Sequence, residues 1–357
     1  MIFFVAIVAL MAVCTCRVSL GKPFQDYIAS DKILPIKGIL VLLVFASHFV
    51  GYVELEGRAD ELYLYFRSFL GQLIVVPFLF YSGYGVFLSA LKKGDRYIKS
   101  MPLKRIFKVY FQFNCAIVLF LIYRLATGQN YSISHILLTS IGWSGIGNSN
   151  WYIFAILFLY LLLWISLSIF PLSEKNGKIS ALVSFTILTI YFIYVVAVLK
   201  GKDGDYYYNT ALAFSAGCWY AAYQDKIERF LFHGKNRYWF ILFLSFIAFF
   251  ISHRERKNLI FYELHAVLFA FLTILFTTRV QINNRFLAYC GKHLFSLYIL
   301  QRLPMLILKN SVLSQYKYWY FLVCIAITFF LSAIFDWAVP RIWNQIQKKI
   351  ETLTSPC

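Results

Sequence analysis

The run IKGILVLLVFASHFVGY, residues 36–52, is apolar except for Lys37 at its start and Ser47 and His48 toward its end. Seventeen residues are enough for a membrane-spanning helix. A cation and an imidazole are each costly inside hydrocarbon. Ionisable groups kept there face the bundle interior or a water-filled cavity. Eleven positions separate the two, close to three helical turns, so both side chains fall on nearly one face with a rise of roughly 16 Å between them. Lys37 then sits at one mouth of the span and His48 lies around or beyond the midplane. Lys37 alone reads as a helix-end lysine that snorkels to the interface. Imidazole is the side chain best suited to accept a proton near neutral pH. A base at mid-membrane, one long linker away from a cation, suits a phosphorylated donor threaded from one side.

The rest of the chain repeats this apolar pattern. Of 357 residues, 61% are hydrophobic and 14% charged, against about 25% charged in a soluble domain. Runs at 2–20, 38–53, 70–91, 105–125, 150–171, 179–199, 208–223, 238–252, 259–278, 287–308 and 318–339 predict an all-α, polytopic integral membrane protein of about 11 transmembrane helices. The net charge of +18 reflects basic cytoplasmic loops and not a nucleic-acid partner. With the C-terminus inside, the inner segments hold 23 of the 34 Lys and Arg, which predicts N-out, C-in. The exception is the basic turn HRERKN, 253–258. The first 19 residues lack a basic start and a small-x-small cleavage site, so a retained first helix is expected.

The seven cysteines show no metal-ligand spacing, and no P-loop, GxSxG or dinucleotide fingerprint occurs. No metal and no permanently bound cofactor is expected. Two partners are open to Glu263, in LIFYELHAVLFAF: His48, or an arginine of the 253–258 turn, with the second favoured by proximity in sequence. His135, His233 and His293 read as solvated. Trp151 and Tyr206–Tyr208 read as an interfacial belt, with stacking on a sugar ring as the sharper alternative.

Several motifs in one order resemble the membrane acyltransferase-3 family, the integral-membrane O-acyltransferases. KGILVLLVFASH is similar to its opening signature, Arg or Lys, ten residues, then His, and Lys37 and His48 fit it. FLFYSGYGVFLSA (78–90) is similar to its Ser-Gly-aromatic element, here Ser82-Gly83-Tyr84. KKGDRYIKSMPLKRIFKVY resembles its basic inner loop with an Arg-x-x-Arg pair, although Lys108 takes the second place after Arg105. NSNWYIFAILFLYLLL resembles the family's Trp-aromatic helix start. YCGKHLFSLYILQRLP (289–304) resembles its Gly-x-x-Ser-x-x-x-Tyr-Leu-x-His-x-Pro element, with Leu294 for the serine and Gln301 for the histidine.

The resemblance covers roughly 32–340 and implies a ten-helix acyltransferase domain there, preceded by an extra N-terminal helix and linker (1–31) and followed by a cytoplasmic tail (341–357). It implies transfer of an acyl group, most often acetyl, from cytoplasmic acyl-CoA to a sugar hydroxyl of a surface polysaccharide or its lipid-linked precursor, in the inner membrane of a cell envelope. His48 would be the general base or a transient acyl carrier, and Lys37, Arg105 and Lys108 would hold the CoA phosphates. Ser82, Glu263 and Gln301 would be supporting residues. The rival from another class is a secondary transporter or lipid-linked sugar flippase that uses Lys37, His48 and Glu263 as a proton or substrate path. A membrane glycosyltransferase is disfavoured, because the longest outer loop, 127–150, contains no Asp or Glu.

Overall fold

The computed structural model describes residues 1–354 apart from Lys235, with side chains as far as Lys349. The first half consists of helices α1 (Ile2–Val13), α2 (Leu34–Phe49), α3 (Arg58–Leu70), α4 (Val76–Lys93), α5 (Asp95–Met101), α6 (Lys108–Ala126), α7 (Ile133–Ser140) and α8 (Trp151–Ile169). The second half adds α9 (Gly177–Lys200), α10 (Leu212–Phe232), α11 (Arg237–Arg254), α12 (Leu259–Arg279), α13 (Arg285–Lys292), α14 (Leu294–Leu300), α15 (Arg302–Leu308) and α16 (Lys317–Thr354). Strands β1 (Cys16–Val18) and β2 (Val280–Ile282) pair antiparallel, with Arg17 opposite Gln281.

Seven segments are long and apolar enough to cross a membrane: Leu34–Tyr52, Arg58–Lys93, Asp95–Ala126, Trp151–Ile169, Gly177–Lys200, Leu259–Arg279 and Lys317–Lys349. The pair Lys202–Phe232 and Arg237–Arg254, bent by 110°, qualifies only jointly, and Ile2–Val13 and Leu294–Leu308 are shorter apolar helices. The all-α, multi-pass architecture therefore holds, but the expected eleven full spans become seven or eight among the described residues.

The differences have local causes. The run at 2–20 is cut to twelve residues because the chain leaves the helix to form β1 against β2. The run at 287–308 breaks twice, at His293 and Gln301. Pro304 has no N–H to return to the carbonyl of Leu300, which weakens the ladder at the second break. The acid-rich loop after α2 is helical from Arg58, where Asp60 and Glu61 in the first turn complement the helix dipole. The tail expected from 341 continues α16 to Thr354, and 355–357 lie outside the described residues.

Two glycine seams organise the packing. A Cβ on Gly38 would stand 1.9 Å from the Leu287 carbonyl oxygen, and one on Gly291 would stand 1.9 Å from that of Leu34. Gly83 and Gly217 hold α4 and α10 together in the same way, since a Cβ on either would stand 2.1 Å from an opposing carbonyl oxygen. Small residues allow this close backbone approach, the usual means of joining helices where no hydrophobic force acts between them. The two largest of four hydrophobic clusters among the described residues follow the seams, one around α4, α8 and α10 and the other around α2, α13 and α14.

Loops assigned to one side by the charge count also meet one another. On the basic side Gln281 donates to Asp26, and Tyr27 contacts Tyr220 and Glu228. Burial, with Tyr220 and Glu228 alongside, pushes the Tyr27 phenol well above its ordinary pKa. On the other side Lys317 and Asp60 form a 2.5 Å ion pair, and Arg256 donates to the carbonyls of Ser68 and Phe69.

Candidate active site

Helix α2 is unbroken from Leu34 to Phe49 and carries both Lys37 and His48. Pro35 in its first turn suits the helix start, where its missing N–H removes no bond. Lys37 opens onto a cavity of about 1020 Å³, with its ammonium 5.5 Å from the centre of the Tyr81 ring. Six cations line this cavity (Lys37, Lys92, Arg105, Lys178, Lys226 and Arg229) against two carboxylates, Asp26 and Asp225. The excess of four charges gives the cavity a positive potential.

Arg105 lies in a π-helical turn, Pro102–Phe107, between α5 and α6. Such turns carry one extra residue per turn and often occur at functional sites. Arg105 donates to the Tyr97 hydroxyl at 3.0 Å and borders two cavities, the one above and a neighbour of about 820 Å³. Lys108 lines only the neighbour, with Lys93, Arg96 and Lys104. The structure thus brings Lys37 and Arg105 together and sets Lys108 apart from Lys37.

A passage of about 140 Å³ lies deeper in the bundle, lined by Ser82, Tyr152, Tyr160 and Tyr298 among apolar side chains. Ser82 interacts with both Tyr152 and Tyr160, and Tyr160 is within electrostatic range of Arg105. The Tyr152 and Tyr298 rings are 5.6 Å apart, and Tyr298 is 6.2 Å from the ring of His48. Arg105, Tyr160, Ser82, Tyr152, Tyr298 and His48 thus follow one another as neighbouring side chains.

His48 is half-buried. Its Nδ1 is 3.5 Å from the Ser149 hydroxyl, at the outer limit of a hydrogen bond. Two guanidiniums, Arg302 and Arg67, lie within electrostatic range. Arg302 donates to the Tyr52 hydroxyl at 3.0 Å and to the Asn148 carbonyl at 3.3 Å, while Arg67 donates to Ser47 at 3.0 Å. The segment 142–150 is held over this end of the bundle. Arg124 donates to the Ile146 carbonyl, Lys200 to that of Trp143, and Asn150 to Gly142, Ser144 and the Tyr207 hydroxyl.

The remaining candidates go elsewhere. Glu263 meets neither expected partner. It is buried, and its two oxygens accept the backbone amides of Ala211 (3.1 Å) and Leu212 (3.0 Å) where α10 begins. Gln301 is fully buried at the break between α14 and α15; its amide donates to the Tyr298 carbonyl, and its Oε1 has no partner. His293 is not simply solvated, since its Nδ1 is 2.5 Å from Asp336, which also accepts from Ser296. Tyr207 packs on Lys200 and donates to the Trp143 carbonyl, and Tyr208 donates to that of Gly201, so both tie down the loops they join. Trp151 packs edge-on to Tyr206.

Arg302, Arg67 and Ser149 were not singled out from the sequence, and Tyr298 entered only as the tyrosine of the Gly-x-x-Ser-x-x-x-Tyr element. The readable signal was a cation in an apolar stretch, ILQRLP, which by position alone looks like a helix-end anchor.

Comparison with curated proteins and with solved structures returned no match. A family model described as an acyltransferase domain matches residues 36–337, which includes Lys37, His48, the π-turn, the passage and both glycine seams. The chain belongs to the membrane acyltransferase-3 family and is an acyltransferase.

Proposed function

We propose that the chain transfers an acyl group, acetyl foremost, from cytoplasmic acyl-CoA to a hydroxyl of a carbohydrate, either a surface polysaccharide or its lipid-linked precursor. The observation that carries this is the single helix α2, with Lys37 in the wall of the cation-rich cavity and His48 about 16 Å further along. The cavity accepts the phosphates, with Arg105 as the bidentate partner and Lys37 as a point charge. The narrow passage takes the extended thiol arm and brings the thioester toward His48. The basic face is then cytoplasmic and His48 serves the outer half of the inner membrane, with the N-terminus outside and the C-terminus inside. Lys108 contributes from the neighbouring cavity, as part of the same basic surface.

A sugar hydroxyl is a weak nucleophile at neutral pH. Removal of its proton by His48 during attack on the thioester supplies about 10²–10⁴-fold in rate. Glu263, fixed on the start of α10, supports the fold around the passage and takes no part in proton transfer.

The test uses full-length protein in nanodiscs with radiolabelled acetyl-CoA and membrane glycan, wild type against His48→Ala, scored for CoA release, label on glycan and CoA binding. Release and labelling lost in His48→Ala, with binding intact, is the expected result. Wild-type protein that neither binds acetyl-CoA nor releases CoA overturns the reading and leaves the transporter alternative.

A further inference from the structure

The cavity of about 820 Å³ beside the large one gathers five cations, Lys93, Arg96, Lys104, Arg105 and Lys108, and no carboxylate lines it among the described residues. None of the five forms an ion pair among the described residues. Lys93 lies 5.9 Å from the centre of the Tyr97 ring, and Arg105 donates to the hydroxyl of that tyrosine, contacts that neutralise neither charge. A concavity lined by one sign of charge focuses its field inward and draws counter-ions.

The walls of this cavity are the ends of three membrane-crossing segments. Lys93 ends Arg58–Lys93, residues 96–108 open Asp95–Ala126, and Trp343, Asn344 and Gln347 lie near the end of Lys317–Lys349. The Phe111 and Trp343 rings, 5.3 Å apart, join α6 to α16 at the cavity. Phe107, Tyr110 and Ile342 are exposed close by, and the apolar exposure continues along α6 at Val118 and Ile122 and along α16 at Ile334 and Phe330. A soluble anion needs only the cations. A cationic cavity that meets two exposed apolar helix faces suits a molecule with a charged head and apolar tails. Basic pockets between helices at the membrane boundary hold phospholipid headgroups in this way.

We propose that this cavity binds the headgroup of an anionic phospholipid, one with two phosphates foremost, whose acyl chains lie along the exposed faces of α6 and α16. Lys93, Arg96 and Lys104 take the phosphates. They come from the end of α4, from α5 and from the π-turn, so the bound headgroup bridges three successive elements and sets them against α16. Two phosphates offset two of the five charges and a single phosphate only one, which favours the doubly charged head. The site is distinct from the large cavity, with which it shares Arg105.

The experiment titrates full-length protein in neutral detergent with cardiolipin, phosphatidylcholine or inorganic phosphate, and reads bound lipid by native mass spectrometry and stability by thermal unfolding. Wild-type protein is expected to retain cardiolipin and melt higher with it, and to retain phosphatidylcholine weakly. The combined variant Lys93→Gln, Arg96→Gln, Lys104→Gln changes three exposed side chains. It should weaken cardiolipin retention roughly 10²-fold, about fivefold for each basic residue near an anionic head. Should that variant fail to fold, wild-type protein is titrated with salt. Retention that falls steeply with ionic strength is then the expected result, and retention independent of salt overturns the inference. Equal retention of cardiolipin by wild type and variant, or of phosphatidylcholine and cardiolipin by wild type, also overturns it. Inorganic phosphate that displaces cardiolipin at equal concentration reduces the site to one for a free anion and overturns the lipid assignment. A rise in the KM for acetyl-CoA in the variant, with cardiolipin retention unaltered, gives the cavity to the acyl donor instead.

Discussion

Gly38→Ala tests whether the α2–α13 seam sets the reacting geometry. The added Cβ would stand 1.9 Å from the Leu287 carbonyl oxygen and 2.7 Å from its carbon, both backbone atoms. Relief to the 3.4 Å of an ordinary contact requires about 1.5 Å of separation between the two helices. Neither obstacle can swing aside like a side chain, so the cost should reach or exceed the roughly 1–3 kcal/mol typical of overpacking. Lys37 and His48 ride on the same helix and move with it. A misplacement of about 1 Å can cost 10²-fold in rate, so the variant should lose both stability and turnover. The assay is thermal unfolding in nanodiscs together with CoA release per folded molecule. Gly51→Ala, with nothing within 4 Å of the added methyl, is the control expected to change neither. A Gly38→Ala protein with wild-type melting temperature and wild-type turnover would refute the reasoning.

Further expectations concern charge and buried polar groups. Lys92→Glu lowers the lining charge of the large cavity by two units, from an excess of four, and should raise the KM for acetyl-CoA by about 3–10-fold at low salt. The effect should shrink at high salt, as a titration of KM against ionic strength would show. Glu263→Ala strips two buried amides of their acceptor and should destabilise by about 2–6 kcal/mol, at 1–3 kcal/mol for each buried donor left unsatisfied; whatever protein remains folded should keep its turnover, and a specific loss of kcat would count against a purely structural Glu263. Asp60→Ala, which leaves Lys317 without its 2.5 Å partner, should lower the melting temperature, and Asp60→Asn combined with Lys317→Met should recover part of the loss.

What could be read from residues alone divides by range. The spacing of Lys37 and His48 is local, and the helix that joins them was readable because three turns of a regular repeat leave little freedom. Apolar runs marked each helix well, but the number of full spans depended on events between runs. Cys16 leaves its helix for a strand partner 266 positions away, at Ile282, and no periodicity announces such pairing. Glu263 was misjudged for a similar reason: Arg254 and Arg256 are near in sequence, yet the groups that bond its oxygens are amides at 211 and 212. Arg302 and Tyr298 resemble a helix-end anchor and an ordinary core aromatic until α14, α8 and α2 are assembled. The π-turn gave no compositional sign beyond Pro102.

The glycine seams also bear on how the protein moves. Backbones pressed together at Gly38 and Gly291, and again at Gly83 and Gly217, cannot slide past each other without collision. The bundle therefore contains two stiff blocks, α2 with α13 and α4 with α10. The large cavity takes Ile33 and Lys37 from the first block and Tyr81, Tyr84 and Ala221 from the second. Its walls include faces of both blocks, so hinging one block against the other changes its width. Since His48 is built into the first block, any tilt of that block at the cavity also displaces the imidazole at the far end of the same lever.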